Sequence, residues 1–283
     1  MAGYVEYMEA GVPSPSGPTI GVGQLLRTWR RRRKLSQLDL ALIAGTSTRH
    51  LSCVETGRSR PSRAMVLRLA EYLDVPLQER NNLLLAAGYA PVFQGSSLDS
   101  DQMMMVRAAL NALLAGHEPY PATVIDQNWD VVESNRAMSV LLASVPAHLT
   151  DPGANVMRLI LHPDGLASQC LNFPDVRAHA IGRLLHQVTA TGNADLRALY
   201  EEVSAYSLPS GEAALPVPPP DPASAGVVVP LRIRTPFGVM SMFSMIATVG
   251  APADITLSDL AVESFHPLDE STAQILRRLA ESA

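Results

Sequence analysis

The sequence lacks the features that mark membrane proteins and disulfide-stabilised proteins. It has only 2 cysteines, Cys53 and Cys170, and they form no metal-type pair, so we expect reduced thiols. No uninterrupted apolar run approaches the roughly 20 residues that span a bilayer. The first residues show neither the basic start nor the apolar stretch of a signal peptide. We therefore expect a cytoplasmic protein with no membrane partner, in which residues 1–19 form a flexible extension.

Common catalytic and nucleotide-binding motifs are also missing. The segment Gly21-Val22-Gly23 lacks the third glycine of a dinucleotide loop, and neither a Gly-Lys-Ser/Thr phosphate loop nor a Gly-Xaa-Ser-Xaa-Gly nucleophile elbow occurs. His179 and His186 lie two helical turns apart, too far to share a metal ion without further ligands. We therefore expect no enzyme activity, no catalytic residues and no metal site.

Charge is distributed unevenly along the chain. The formal net charge of -5 does not suggest a nucleic-acid-binding protein, yet residues 20–93 hold 12 Lys and Arg against 5 Asp and Glu, and the rest holds 10 against 22. A basic segment of this kind indicates nucleic-acid binding, because Lys and Arg contact phosphates; a solvated basic face is the alternative interpretation. The 283 residues leave room for a second domain.

The basic segment contains a helix-turn-helix pattern. Ser36 and Asp39 are predicted to form a capping box for the second helix, Gly45 permits the reversal, and Ser47 caps the third helix. Apolar residues repeat at helical spacing on both sides, which predicts an all-α five-helix domain over residues 20–93. The predicted buried positions of the two central helices are Leu38, Ala41, Leu51 and Val54.

Six features of this segment agree in spacing with a known family. They are Ser36-Gln37, Ala44-Gly45, Ser47, Leu51-Ser52, Glu55-Xaa-Gly57 and Pro61. The segment thus resembles the Cro/C1-type (XRE) family of DNA-binding domains. The resemblance implies that Gln37 touches DNA and that Thr48, Arg49 and Cys53 stand where the recognition helix contacts bases. Cys53 departs from the family pattern, in which a longer polar residue is common, and we expect an apolar or steric contact from its thiol.

Basic and polar residues around this helix complete the predicted DNA-binding surface. Phosphate contacts supply affinity and base contacts supply the choice of sequence. The predicted DNA-binding residues are Arg33, Ser36, Gln37, Ser47, Thr48, Arg49, His50, Ser52, Cys53, Arg58, Arg60 and Arg63.

The remaining residues indicate a second domain. We interpret residues 94–102 as a linker and residues 103–283 as an α+β domain with an antiparallel sheet, and the loop 208–226 is too rich in proline for a regular element. The predicted elements are a helix from Met103 to Leu114, strands at Ala122 to Ile125 and Trp129 to Val132, a helix after Asn135, helices around Val176 to Thr191 and Ala194 to Tyr206, and two or three strands between Val227 and Val249.

Several motifs of this second domain occur together in one family. They are Pro119-Tyr120-Pro121-Ala122, Trp129-Asp130, Asn135-Arg136-Ala137, Arg158, His162-Pro163, the run from Gly250 to Leu257, and Phe265-His266-Pro267. The domain thus resembles the MmyB-type regulator family, with a PAS-like fold. The resemblance implies a transcription regulator whose C-terminal domain binds a small, fatty-acid-like ligand. We expect the same domain to serve dimerisation.

A hollow that is apolar with a few polar anchors is the usual composition of a ligand site. Each candidate also has a structural interpretation: the Met and Phe residues and Trp129 can fill the core, Asn135 can cap a helix, and Arg158 can form a salt bridge. The predicted ligand-binding residues are Trp129, Asn135, Arg158, His162, Phe173, Met240, Met242, Phe243 and Met245.

These features predict a sequence-specific regulator that binds a palindromic double-stranded DNA operator as a homodimer. We expect no cofactor beyond a bound fatty acid or other small apolar molecule. In an alternative hypothesis the second domain serves only oligomerisation or protein-partner binding, through the Met- and Leu-rich helix from Met103 to Leu114. A third hypothesis makes it a cofactor-bearing enzyme or a haem or flavin sensor.

Overall fold

The computed structural model describes residues 21–207 and 228–281. These residues divide into two compact units. The first contains the described residues up to Asp74 together with Arg80–Pro91, and the second contains Val75–Glu79 and the described residues from Val92 onward.

Two predicted segments, the flexible extension 1–19 and the proline-rich loop 208–226, lie outside the described residues. Within the described part of the chain, no helix is long and apolar enough to cross a membrane. The segment predicted as a linker is hydrogen-bonded within the second unit: the Gln94 carbonyl accepts from the Ile255 N–H at 2.8 Å, and the Ser96 N–H donates to Asp254 at 3.0 Å.

The first unit is helical, as predicted. Its described helices are α1 (Val22–Arg32), α2 (Gln37–Ile43), α3 (Thr48–Glu55), α4 (Arg63–Tyr72) and most of α5 (Leu77–Ala86), whose residues up to Glu79 belong to the second unit. The capping box of α2 is confirmed, since the Asp39 N–H donates to the Ser36 hydroxyl and the Ser36 N–H donates to the Asp39 carboxylate. Ser47 caps α3 by accepting from the His50 N–H. Short helices need such caps because their first N–H groups lack partners inside the helix.

One predicted core position of α2 is wrong. Leu38 is 56% exposed, whereas Leu40 and Ala41 are buried. The helix is only seven residues long and carries apolar side chains on all sides, so its own pattern does not show which side faces α3. Leu51 and Val54 are buried, as predicted.

The second unit is built on a five-stranded antiparallel sheet, which confirms the predicted α+β class. The strand order is β2-β1-β5-β4-β3. The strands are β1 (Ala122–Ile125), β2 (Val131–Ser134), β3 (Leu231–Thr235), β4 (Gly238–Thr248) and β5 (Ala261–Pro267). Across β4 and β5, Ser244 lies opposite Phe265 and Ile246 opposite Glu263, so these four side chains share one face of the sheet.

Helices cover both faces of the sheet. They are α6 (Met104–Gly116), α7 (Arg136–Leu141), α8 (Val156–Leu161), α9 (Phe173–Thr191), α10 (Ala194–Ser204), α11 (Ile255–Asp259) and α12 (Glu270–Glu281). On one face, α6 packs Leu110 and Leu114 against Ala122 and Val124 of β1. On the other face, apolar side chains of α8, α9 and α10 form one core cluster of this unit.

Candidate functional site

The accessible side of α3 carries most of the predicted base-contacting residues. The helix buries Leu51, Val54 and Glu55, and because a helix repeats every 3.6 residues, its other side faces outward. Arg49 is exposed there, and its side chain makes no hydrogen bond or ion pair among the described residues. The half-buried residues beside it are Thr48, His50, Ser52 and Cys53. Base contacts by these side chains remain a prediction.

The buried carboxylate of Glu55, at the end of α3, holds α1 through an ion pair with Arg30 and the start of α2 through a hydrogen bond from Gln37. Glu55 receives two hydrogen bonds from Arg30, at 2.6 Å and 2.9 Å, and one from the Gln37 amide at 2.8 Å. Burial raises the pKa of Glu55, but the hydrogen bonds from Arg30 and Gln37 and the charge of Arg30 outweigh this effect, so the net pKa is lowered. The Gln37 side chain, predicted to touch DNA, is therefore held in place by a carboxylate inside the domain.

The structure separates the predicted phosphate-binding arginines into two kinds. Arg33 donates to the carbonyls of Leu73 and Asp74, at 2.8 Å and 2.7 Å, at the end of α4. Arg60 donates to the carbonyls of Ala87 and Gly88, at 3.0 Å and 3.3 Å, after the end of α5. Both guanidinium groups thus hold helix ends, a structural role that the sequence did not reveal.

Arg58 and Arg63 are of the second kind. Both are exposed, and neither side chain makes an ion pair or hydrogen bond within residues 21–207 or 228–281. Ser36 and Ser47 are exposed as well, although their hydroxyls already accept from backbone N–H groups as helix caps. Phosphate contact by these four residues is sterically open.

The second unit contains a partly open cavity of about 420 Å³ between the sheet and α9. This volume lies within the range of small-molecule sites, about 300–1,000 Å³. One face of α9 lines it with Val176, His179, Ala180 and Arg183, which recur at the spacing of helical turns. Apolar side chains from α8 and the strands complete most of the remaining wall, so the cavity is apolar with few polar groups.

Two of the predicted ligand-binding residues, Trp129 and Phe243, line this cavity. Trp129 is buried, and its indole N–H donates to Gln187 at 2.9 Å. The charged groups of the wall, Arg183 and Glu263, were not predicted. Arg183 lies over the Trp129 ring at 4.6 Å, a cation–π contact. Burial raises the pKa of Glu263, against the smaller lowering effects of Ser244 and the Arg183 charge.

The other predicted ligand-binding residues with polar side chains lie outside this cavity and have structural partners. Asn135 caps α7, and its amide group donates to the carbonyls of Tyr120 and Leu114. Arg158 forms a two-pronged ion pair with Glu202, with both hydrogen bonds at 2.8 Å. The helix cap and the salt bridge predicted as structural alternatives for these two residues are therefore present, and ligand binding by Asn135 and Arg158 stays a prediction.

The predicted apolar residues also lie mostly outside the cavity. Phe173 is buried in the core at the start of α9. Met240 and Met242 are fully buried in the core beneath β3 and β4, whereas Met245 is 56% exposed. Since successive residues of a strand point to opposite faces, Met245 cannot share a face with Met240 and Met242.

His162 lies at the end of α8, away from the cavity, in a cluster with His148 and Asp164. The ligand-type atoms of these three residues lie within 4.8 Å of one another, the one such group found among the described residues. Two imidazoles and a carboxylate suit a divalent transition metal. However, the His162 Nδ1 already accepts from the Asp164 N–H at 3.1 Å, and His148 and Asp164 are more than half exposed.

A helix-turn-helix unit together with a sheet unit that contains an apolar cavity defines the class of the protein: a helix-turn-helix transcription regulator with a ligand-binding domain. The chain belongs to the family of MmyB-like transcription regulators. Residues 106–279 match the model of the MmyB-like transcription regulator ligand binding domain, and residues 22–83 match a helix-turn-helix domain model. These matches identify a regulator and not an enzyme.

A curated relative and a solved structure were also found. The chain is 42% identical over 72 residues to the uncharacterized HTH-type transcriptional regulator RghRB of Bacillus subtilis (strain 168), which covers 25% of this chain and 50% of that protein. The chain thus spans about half the length of this relative. The structure of an RNA-binding light-oxygen-voltage receptor aligns at 14% identity and a TM-score of 0.25, covering 92% of this chain and 63% of that chain.

Proposed function

We propose that the protein is a cytoplasmic regulator that binds double-stranded DNA through α3 and is controlled by a small, predominantly apolar ligand in the cavity of its second unit. The observation that carries the DNA-binding half is the accessible side of α3 with the unpaired, exposed Arg49, flanked by Arg58 and Arg63. Arginine in the major groove can contact guanine in a bidentate manner.

The DNA-binding half also includes a homodimer on a palindromic operator. Two recognition helices related by a two-fold axis read half-sites about 34 Å, or one DNA turn, apart. A footprint of the full chain on its operator tests this: we expect paired half-sites, and protection of one isolated half-site would contradict the dimer.

The cavity of about 420 Å³ supports the ligand half of the proposal. The resemblance to MmyB-type regulators suggests a fatty-acid-like molecule, and we propose no other cofactor. Lipid extraction of the purified full chain, followed by mass spectrometry, tests for such a molecule.

A pair of variants on α9 tests whether the cavity controls DNA binding. Ala180→Leu adds volume inside the cavity, whereas Ala178→Leu adds the same volume on the exposed side of the same helix. We expect Ala180→Leu alone to abolish both ligand retention and the response of operator affinity to ligand. Equal behaviour of the two variants would contradict a sensing role.

A second candidate function for the sheet unit is oligomerisation or partner binding, which one observation favours. Along α6, Leu110 and Leu114 pack into the unit, but Met105 is 84% and Leu113 61% exposed. Exposed apolar side chains of this size are typical of interfaces. Leu113→Glu should shift the protein toward a monomer in analytical ultracentrifugation, whereas Leu185→Glu, an exposed leucine on α9, should not.

A further inference from the structure

Glu263 has one unpaired carboxyl oxygen in the wall of the cavity, although its carboxyl group also forms a hydrogen bond with Ser244. It lies on β5, is only 4% exposed, and faces the same side of the sheet as Ile246 and Phe265. Its Oε2 atom is buried and has no hydrogen-bond partner in the described part of the chain. An unsatisfied buried polar group is costly, and native structures contain few of them. Glu263 therefore presents an acceptor that the protein itself does not satisfy.

Arg183 is a second polar group on the same cavity, half-buried and without a hydrogen-bond partner among the described residues. It stacks on Trp129, and its guanidinium makes no hydrogen bond or ion pair within the residues that the structure describes. Its charge acts on Glu263, yet the two side chains do not form a salt bridge. The polar part of the wall thus offers both a guanidinium donor fork and a separate carboxyl acceptor.

We infer that the ligand is an amphipathic acid with a hydrogen-bond donor next to its carboxylate, such as a 2-amino or 2-hydroxy acid with an apolar chain. The carboxylate would pair with Arg183, the donor would bind Glu263, and the chain would lie against Val156, Ile160 and Val176. This inference rests on the proposed ligand-binding function and specifies its ligand.

Simpler ligands match the wall less well. A plain carboxylic acid satisfies Arg183 but brings no donor to Glu263 and adds a negative charge beside it. A plain amine satisfies Glu263 but places a positive charge near Arg183, and like charges at short range repel. A ligand with both groups satisfies both side chains at once.

Isothermal titration of the full chain with three probes of equal chain length tests the inference. The probes are octanoate, 2-aminooctanoate and 2-hydroxyoctanoate. A hydrogen bond to a charged group is worth about tenfold in affinity, so we expect the amino or hydroxy acid to bind about tenfold more tightly than octanoate. The stronger of the two identifies the donor as ammonium or hydroxyl.

Substitutions then assign the contacts. Glu263→Gln should remove the preference for 2-aminooctanoate and leave octanoate binding unchanged or tighter, because a carboxylate no longer meets a like charge. Arg183→Gln should weaken all three probes alike. Glu201→Gln, an exposed glutamate on α10, is the matched control and should change nothing.

The outcomes separate this inference from the proposed function. If octanoate binds wild-type protein as tightly as both other probes, or if Glu263→Gln weakens all probes equally, the inference is refuted while the apolar ligand site stands. If no probe binds and Ala180→Leu has no effect, both fail. Because the preference among probes is measured on the wild-type chain, the inference stays testable even if Glu263→Gln does not fold.

Discussion

Removal of the Glu55 side chain should destabilise the helix-turn-helix unit more than any surface substitution in it. The Glu55 side chain is 1% exposed, and the side chain of its partner Arg30 is 10% exposed. In Glu55→Ala, Arg30 keeps a buried charge without its partner, and the Gln37 amide loses its acceptor. Breaking one side of a buried ion pair costs about 3–5 kcal/mol. Since whole domains are stable by only about 5–15 kcal/mol, this loss leaves the unit close to unfolding.

Hydrogen exchange of the α3 amides measures this loss in the full chain, because it reports the opening of the first unit separately from the second. Glu71→Ala, an exposed glutamate on α4, is the matched control and should leave exchange unchanged. The double substitution Arg30→Met with Glu55→Leu should recover most of the stability, since apolar residues can replace a buried pair without loss. It should still weaken DNA binding, because Gln37 is no longer held.

Two results would refute this reasoning. A loss of less than about 1 kcal/mol in the free energy of unfolding of Glu55→Ala would mean that the Arg30–Glu55 pair contributes no more than a surface salt bridge. A double variant no more stable than Glu55→Ala would show that the unpaired Arg30 charge is not the cause. The lowered pKa of Glu55 adds a pH test: its contribution is present above the ordinary value of 4.5 and is lost as pH falls through the lower folded-state pKa.

Three further predictions concern the two sites. Arg49→Ala should cost about 1–3 kcal/mol of DNA-binding free energy and relax the specificity at one base position, whereas Arg58→Ala should weaken binding to all DNA sequences alike and reduce the slope of affinity against salt by about one. Titrations of operator variants at several salt concentrations check this. Identical behaviour of the two variants would mean that α3 is misplaced on DNA. The thermal stability of Glu263→Gln relative to wild type should increase as pH rises. Burial raises the pKa of Glu263 in the folded protein, so ionisation of this carboxyl group destabilises the fold above its unfolded-state pKa of 4.5. An equal difference in stability at pH 5 and pH 8 would contradict this. Arg158→Ala should leave octanoate affinity unchanged. It should lower the free energy of unfolding by less than about 1 kcal/mol, because the side chains of Arg158 and Glu202 are 40% and 38% exposed. A tenfold loss of octanoate affinity would indicate that Arg158 contacts the ligand.

Local chemistry explains which features could be predicted from the sequence. A helix cap depends on residues within one turn, so Ser36, Ser47 and Asn135 were identifiable as caps from spacing alone. The buried side of α2 was not identifiable, because Leu38 and Leu40 are equally apolar and only the packing against α3 distinguishes them.

The cavity wall depends on pairing between distant strands, which no local pattern encodes. Glu263 reaches the cavity because β5 lies between β1 and β4, and β5 was not predicted. One signal was nevertheless present in the sequence. Glu263 lies two residues before Phe265, so both side chains face the same side of a strand, and Arg183 lies two helical turns after Val176 on an apolar helix face. A charged residue at a position whose neighbours on the same face are apolar departs from the usual burial pattern and indicates a candidate site.

Arg60 also determines how this regulator can be recombined with other sensors. Its guanidinium holds the backbone at Ala87 and Gly88, while the Tyr89 hydroxyl donates to the Pro61 carbonyl at 3.0 Å. Gly88 has φ of +76°, and a Cβ there would lie 2.5 Å from the Arg60 guanidinium. A chimera that ends at the last residue of α5 loses the hydrogen bonds of both Arg60 and Tyr89. A transferable DNA-binding cassette therefore has to extend through Tyr89 and keep glycine at position 88.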